Sequence, residues 1–145
     1  MTDRRTDTGN AGARNGLRAV LVVRDPHGAR RLNGFITSCG FTVRVEDDAV
    51  SALIRCKESR PELALVDHDL GGTSGIAFLR ALLKVSWATT TILITPDDHE
   101  QVHAAAEGLG ILGQITGYDD LDGVKDLLET FRELAARSHS SPVAR

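Results

Sequence analysis

The sequence predicts a doubly wound α/β domain, a five-stranded parallel sheet with helices on both faces. Three observations carry that prediction. Short apolar runs alternate with amphipathic stretches five times along the chain. The best of these runs are apolar throughout rather than at every second position, as in strands buried on both faces. Most of them lead into Asp, Thr, Pro or Gly, residues that turn a chain out of a strand and cap the helix that follows.

The first strand is the run Ala19, Val20, Leu21, Val22 and Val23. Asp25 and Pro26 then open a helix, with Pro26 at a tolerated first-turn position and Asp25 suited to the N-cap. Its apolar face is Leu32, Phe35, Ile36 and Cys39, and Gly40 suits its end. Residues 41–45 alternate as a second strand. Asp47 and Asp48 start a second helix, in which Ala49, Val50, Leu53 and Ile54 repeat at helical spacing until Pro61. Residues 63–66 form the third strand. Ile76, Leu79, Leu82 and Leu83 mark a third helix, and residues 91–95 a fourth strand. Pro96 and Asp97 begin a fourth helix with Val102, Ala105, Ala106 and Leu109 inward. Residues 111–116 give a weaker fifth strand broken by Gly113. Asp119 and Asp120 begin the last helix, striped by Leu121, Val124, Leu127, Leu128, Phe131, Leu134 and Ala135. Each stripe is expected to pack into the core.

Composition narrows the function. A chain of 145 residues with 41% hydrophobic and 26% charged residues suits one domain with a real core. The net charge of -3 argues against nucleic-acid and membrane partners. No stretch is long and apolar enough to span a bilayer, and the polar N-terminus lacks the apolar segment of a secretory signal. Cys39 and Cys56 are too few for a disulfide framework and are expected to be free thiols in a reducing cytoplasm. Residues 1–16 and 138–145 are expected to be disordered tails around a domain spanning 17–137, with no output domain after it.

A parallel sheet brings all its strand carboxyl ends to one edge, where open α/β sheets place their chemistry. That edge would collect Arg24 and Asp25, Asp67 and Asp69, Thr95, and Thr116. Asp67 stands out, because a carboxylate directly after Leu63, Ala64, Leu65 and Val66 gains little structurally. Two acidic positions on separate strands plus a hydroxyl suit a hard cation and an anionic group, and magnesium takes such oxygen ligands.

At this point the chain resembles the receiver domain of two-component response regulators, over roughly residues 17–137. Asp67 followed eight residues later by Gly75 has the spacing of the family's phosphoacceptor and its glycine. The resemblance implies a flavodoxin-like (βα)5 fold with strand order 2-1-3-4-5. It implies Asp67 as phosphoacceptor and Thr95 as the strand-four hydroxyl. It implies magnesium held by Asp25, Asp67 and the backbone carbonyl of Asp69. It further implies a sensor histidine kinase or phosphotransfer protein as donor, and a signalling rather than an enzymatic role. A downstream protein, or a second copy in a homodimer, would bind the face of helix four, strand five and helix five, near Gln101, Tyr118 and the last helix.

The departures are as informative. Arg24 replaces the first acid of the family's pair, Thr116 its strand-five Lys, Gly113 its switch aromatic and Gly71 a Pro. No Lys occurs between Lys84 and Lys125. Two readings follow. Arg24 is a substitute cation that helps Asp67 react, or it pairs with Asp67 or Asp25 and fixes a metal-free, phosphorylation-independent interaction module. Two other patterns compete. Asp67 with Asp69 resembles the paired aspartates of haloacid-dehalogenase-type phosphatases, but on the wrong strand of too short a chain. Gly108, Gly110 and Gly113 match a dinucleotide-binding spacing outside its strand-to-helix context. His99 and His103 share a helix face without a third metal ligand, and His68 flanks Asp67 as a group able to titrate near neutral pH.

Overall fold

The computed structural model describes residues 16–140, with side chains to Arg137. The elements run β1 (Leu17–Val22), α1 (Arg30–Ser38), β2 (Phe41–Glu46), α2 (Ala49–Ser59), β3 (Leu63–Asp67), α3 (Gly75–Val85), β4 (Thr90–Ile94), α4 (His99–Ala105), β5 (Gly113–Ile115) and α5 (Leu121–Ser140). All strand pairs are parallel and their order is β2-β1-β3-β4-β5, the expected (βα)5 sandwich. The last helix runs on to Ser140; the rest of both expected tails lies outside the described residues.

Strand alternation divides the interior in two. Ala19, Leu21, Leu63, Leu65, Ile92, Ile94 and Ile115 face α1 and α5, meeting Leu32, Ile36, Val124, Leu128 and Phe131. Val20, Val22, Ala64, Val66 and Leu93 face the other way onto Ala52, Cys56, Phe78, Leu79, Leu82 and Val102 of α2, α3 and α4. Every residue of β3 is buried, so its carboxyl end emerges from the middle of the sheet.

Several details differ from the sequence reading. Helix α1 begins at Arg30 rather than at Asp25. Residues 26–29 form a tight turn instead, in which Ala29 N–H donates to the carbonyls of Asp25 and Pro26 and Gly28 N–H donates to Asp25 Oδ1. Val50 and Ile54 are exposed, at 67% and 54%, because α2 meets the sheet along the narrower row Ala49, Ala52, Leu53 and Cys56. Ala105, Leu134 and Ala135 are exposed too, the last two where α5 outruns the sheet. Phe78, absent from the expected stripe of α3, is buried.

Strand β5 is three residues long, shorter than expected, and Gly108 and Gly110 in the loop before it take positive φ values of 85° and 66°. The glycine spacing of this loop thus serves backbone turns. Gly113 has a different reason: a Cβ there would lie 2.6 Å from Cδ2 of Leu127 on α5. Both cysteines are free, and burial, aided by Glu46, pushes the Cys56 thiol up to about 11. Trp87, between α3 and β4 at the amino edge of the sheet, is 80% exposed. Among the described residues, no helix is long and apolar enough to cross a membrane.

Candidate functional site

The strand register fixes the site's frame. Asp67 pairs with Ile94, and Ile94 with Ile115, so Asp67, Thr95 and Thr116 stand at neighbouring strand ends. Asp67 is only 7% exposed, deep for a carboxylate. Both of the hydrogen bonds it accepts fall on Oδ2. One comes from the backbone N–H of Arg24 at 2.8 Å, the other from the Tyr118 hydroxyl. The same hydroxyl accepts from the backbone N–H of Asp25 at 3.3 Å. Tyr118 therefore bridges the first and third strand ends from the loop after β5.

The position of Tyr118 was not legible in the sequence, which pointed to a place on the partner face. A signal did exist: no Lys lies between Lys84 and Lys125 to meet Asp67 from the β5 edge, and the chain's single tyrosine lies two residues beyond Thr116. Burial, and then the bond to Asp67, push the phenol above the ordinary tyrosine range, so it stays protonated and donates. That stabilises the fold fully below the ordinary value of 10.0, and the contribution is lost as pH rises through the folded value. Asp67→Asn is expected to bring the phenol back toward ordinary values, checked by tyrosinate absorbance across an alkaline titration.

Arg24 reaches neither Asp67 nor Asp25 with its side chain. Its guanidinium Nη1 donates to Asp69 Oδ2 at 2.9 Å, in a pair whose side chains are 60% and 51% exposed. The expected pairing is corrected accordingly: a strand end fixes where Cα lies, while a long flexible side chain settles on the nearest exposed anion. Such surface pairs contribute about 0–1 kcal/mol. The Asp69 carboxyl is held below its usual range by the Gly71 N–H at 2.9 Å and then by Arg24. Gly71 itself, with φ of 90°, needs the freedom of glycine at this turn.

Thr116 bonds to Asp120 rather than to Asp67. Its backbone N–H and its hydroxyl both donate to Asp120 Oδ2, at 3.0 and 3.3 Å, and Asp120 Oδ1 accepts from Gly123 N–H. These bonds, the backbone one first, hold the Asp120 carboxyl below its usual range at the start of α5. Thr95 is wholly buried, and its Oγ1 accepts from Asp97 N–H at 3.1 Å, leading the chain toward α4. Thr95, Thr116 and Tyr118 line a cleft of about 160 Å³ beside Asp67. His68 sits at its rim, its backbone N–H and Nδ1 both on the Ile94 carbonyl at 2.9 and 3.1 Å. Such a contact places the ring proton on Nδ1 when the imidazole is neutral.

Gly75 opens α3 directly against the backbone of Asp67. Its N–H donates to the His68 carbonyl at 2.8 Å, and Ser74 caps the helix through Ala77 N–H. A Cβ on Gly75 would lie 2.2 Å from the Asp67 carbonyl oxygen. The spacing between Asp67 and Gly75 is thus a close approach of backbone to backbone.

The expected cation ligands, the carboxylates of Asp25 and Asp67 and the main-chain carbonyl of Asp69, are oxygen donors at this edge. They fit a hard dication in kind. Asp25 Oδ1 is already engaged by Gly28 N–H, Asp67 Oδ2 by two donors, and the Arg24 cation lies beside Asp69. Among the described residues, no group of three or more His, Cys, Asp or Glu side chains is arranged to hold a metal.

This architecture has known counterparts. The family model for the response regulator receiver domain matches residues 20–129. The chain is 24% identical over 116 residues to sporulation initiation phosphotransferase F of Bacillus subtilis (strain 168), covering 79% of this chain and 94% of that protein. A CheY-like receiver domain protein from Methanospirillum hungatei JF-1 shares the fold with a TM-score of 0.73 at 18% identity, over 84% of this chain and 98% of the other. A response regulator from Burkholderia pseudomallei, solved with a phosphorylated aspartic acid and a calcium ion, matches with a TM-score of 0.69 at 18% identity, over 84% and 72% of the two chains. With the matched region running from inside β1 into α5, the chain belongs to the response regulator receiver domain family.

Proposed function

We propose that Asp67 accepts a phosphoryl group from the histidine of a sensor kinase or of a phosphotransfer protein, and that the domain passes this signal on within its two-component system. One observation carries the reading. A buried carboxylate stands at the carboxyl end of the central strand, beside a cleft lined by Thr95, Thr116 and Tyr118. The relatives support it: one is named a phosphotransferase, and another holds a phosphorylated aspartic acid.

In the transfer, a carboxylate oxygen of Asp67 attacks phosphorus. The O–P bond forms as the P–N bond of phosphohistidine breaks, and the departing imidazole keeps the electron pair and takes up a proton. The chain's own part is positioning: Arg24 N–H orients Asp67, and Thr95 and Tyr118 border the space for the arriving group. Magnesium held by Asp25, Asp67 and the Asp69 carbonyl would neutralise charge on the phosphoryl oxygens.

Incubating the whole chain with a small acyl phosphate and magnesium is expected to add one phosphoryl mass, read by intact mass spectrometry, and Asp67→Asn to abolish it. Absence of any adduct with acyl phosphate or with a phosphorylated histidine donor would refute the reading. A second reading is favoured by the closed site: Asp67 capped by Tyr118 and Asp69 by Arg24 suit a phosphorylation-independent interaction module. In either case the partner surface is the face of α4, β5 and α5. A groove of about 470 Å³ runs there between α4 and β5 and is bordered by Val102, Ala106 and Gly113. A second copy of the chain is the alternative occupant of that face.

A further inference from the structure

The Tyr118 hydroxyl stands between the two carboxylate-bearing strand ends. It donates to Asp67 Oδ2 and accepts from the Asp25 backbone N–H. With the Arg24 N–H also on Oδ2, both lone-pair directions of that oxygen are taken by protons. A divalent cation that needs Oδ2 together with Asp25 has no lone pair there until the phenol withdraws. The phenol is partly buried and its O–H is directed at Asp67 Oδ2, so in the resting site it is a persistent donor. Tyr118 lies in the short loop between β5 and α5, so swinging out gives up its packing against the core and its bond from Asp25 N–H but no strand or helix pairing.

We propose that Tyr118 is a plug: its hydroxyl and a divalent cation are alternative occupants of Asp67 Oδ2, and the phenol sets the cation affinity of the site. The inference rests on reading Asp25, Asp67 and the Asp69 carbonyl as the cation's ligands. It explains how a site short of one acid and of its strand-five Lys keeps a buried carboxylate satisfied when no cation is bound. A neutral donor does what a cation does elsewhere, without adding charge. The plug differs from the Arg24–Asp69 pair, which lies outside the carboxylate and is open to solvent.

The test is a calorimetric titration of the full-length chain with magnesium chloride, comparing wild type with Tyr118→Phe. Phenylalanine keeps the ring and removes only the O–H. Because a hydrogen bond to a charged group must otherwise be broken first, Tyr118→Phe is expected to bind magnesium about tenfold more tightly or better. An unchanged or weaker affinity overturns the proposal. Should Tyr118→Phe fail to fold, wild type alone decides. Its only tyrosine is Tyr118, so magnesium at neutral pH is expected to shift the tyrosine near-ultraviolet band to shorter wavelength as the carboxylate bond is lost. Asp67→Ala, lacking any acceptor for that bond, is expected to show no shift. A wild-type band that ignores saturating magnesium overturns the plug. Failure here is separable from failure of the phosphoacceptor reading: a phosphoryl adduct with unchanged magnesium affinity removes the plug alone. Tighter binding by Tyr118→Phe without any adduct removes only the acceptor role.

Discussion

Gly75→Ala is expected to destabilise the domain by about 3 kcal/mol or more, at the upper end of the cost of overpacking a filled site. In a helix interior this substitution ordinarily stabilises by roughly 0.5–1 kcal/mol, so the sign alone is diagnostic. Here the added Cβ would meet the Asp67 carbonyl oxygen at 2.2 Å and the His68 Cα at 3.0 Å. Both are backbone atoms, one of the buried strand end and one of the residue that follows it, and neither can swing aside. Relief requires the first turn of α3 to move off β3, which breaks the Gly75 N–H bond to the His68 carbonyl. Urea denaturation reads the stability loss. Gly113→Ala is the control: its Cβ meets the tip of the Leu127 side chain, which can rotate, and its cost is expected to be clearly smaller.

Arg24→Asp is expected to tighten magnesium binding by about tenfold to a hundredfold, or about 1.4–2.8 kcal/mol. The substitution removes a cation held at Asp69 and puts a carboxylate next to Asp25, a two-charge change beside a divalent ion. The full Coulomb value is not reached, because the Arg24 side chain is 60% exposed and solvent screens it. Calorimetric titration at low and physiological salt checks both points, since the gain should shrink as salt rises. An affinity independent of residue 24 would place the cation elsewhere.

The sheet was legible because burial on both faces leaves continuous apolar runs in β1, β3 and β4, and because parallel strands oblige their carboxyl ends to meet. Asp67, Thr95 and Thr116 therefore came together where expected. Helix α1 began later than its Asp–Pro signal because Asp25 caps a turn at Gly28, and a cap residue reads the same before a turn as before a helix. Val50 and Ile54 look like core by period, yet the helix spends its apolar width on Ala52 and Cys56. Tyr118 was expected on the partner face rather than at Asp67 because a loop residue has no period, and its direction depends on which buried acceptor lies within reach. For the same reason the partner of Arg24 became visible only in three dimensions.

Trp87 acquires a use from its position. It is the chain's single tryptophan, as Tyr118 is its single tyrosine, and the two lie at opposite ends of the strands. The molecule thus carries two independent optical reporters without any engineering. Tyrosine absorbance follows the carboxyl edge where Asp67 sits. Tryptophan emission, from a side chain 80% exposed in the native state, reports anything that covers the amino edge and should barely change while the site alone rearranges.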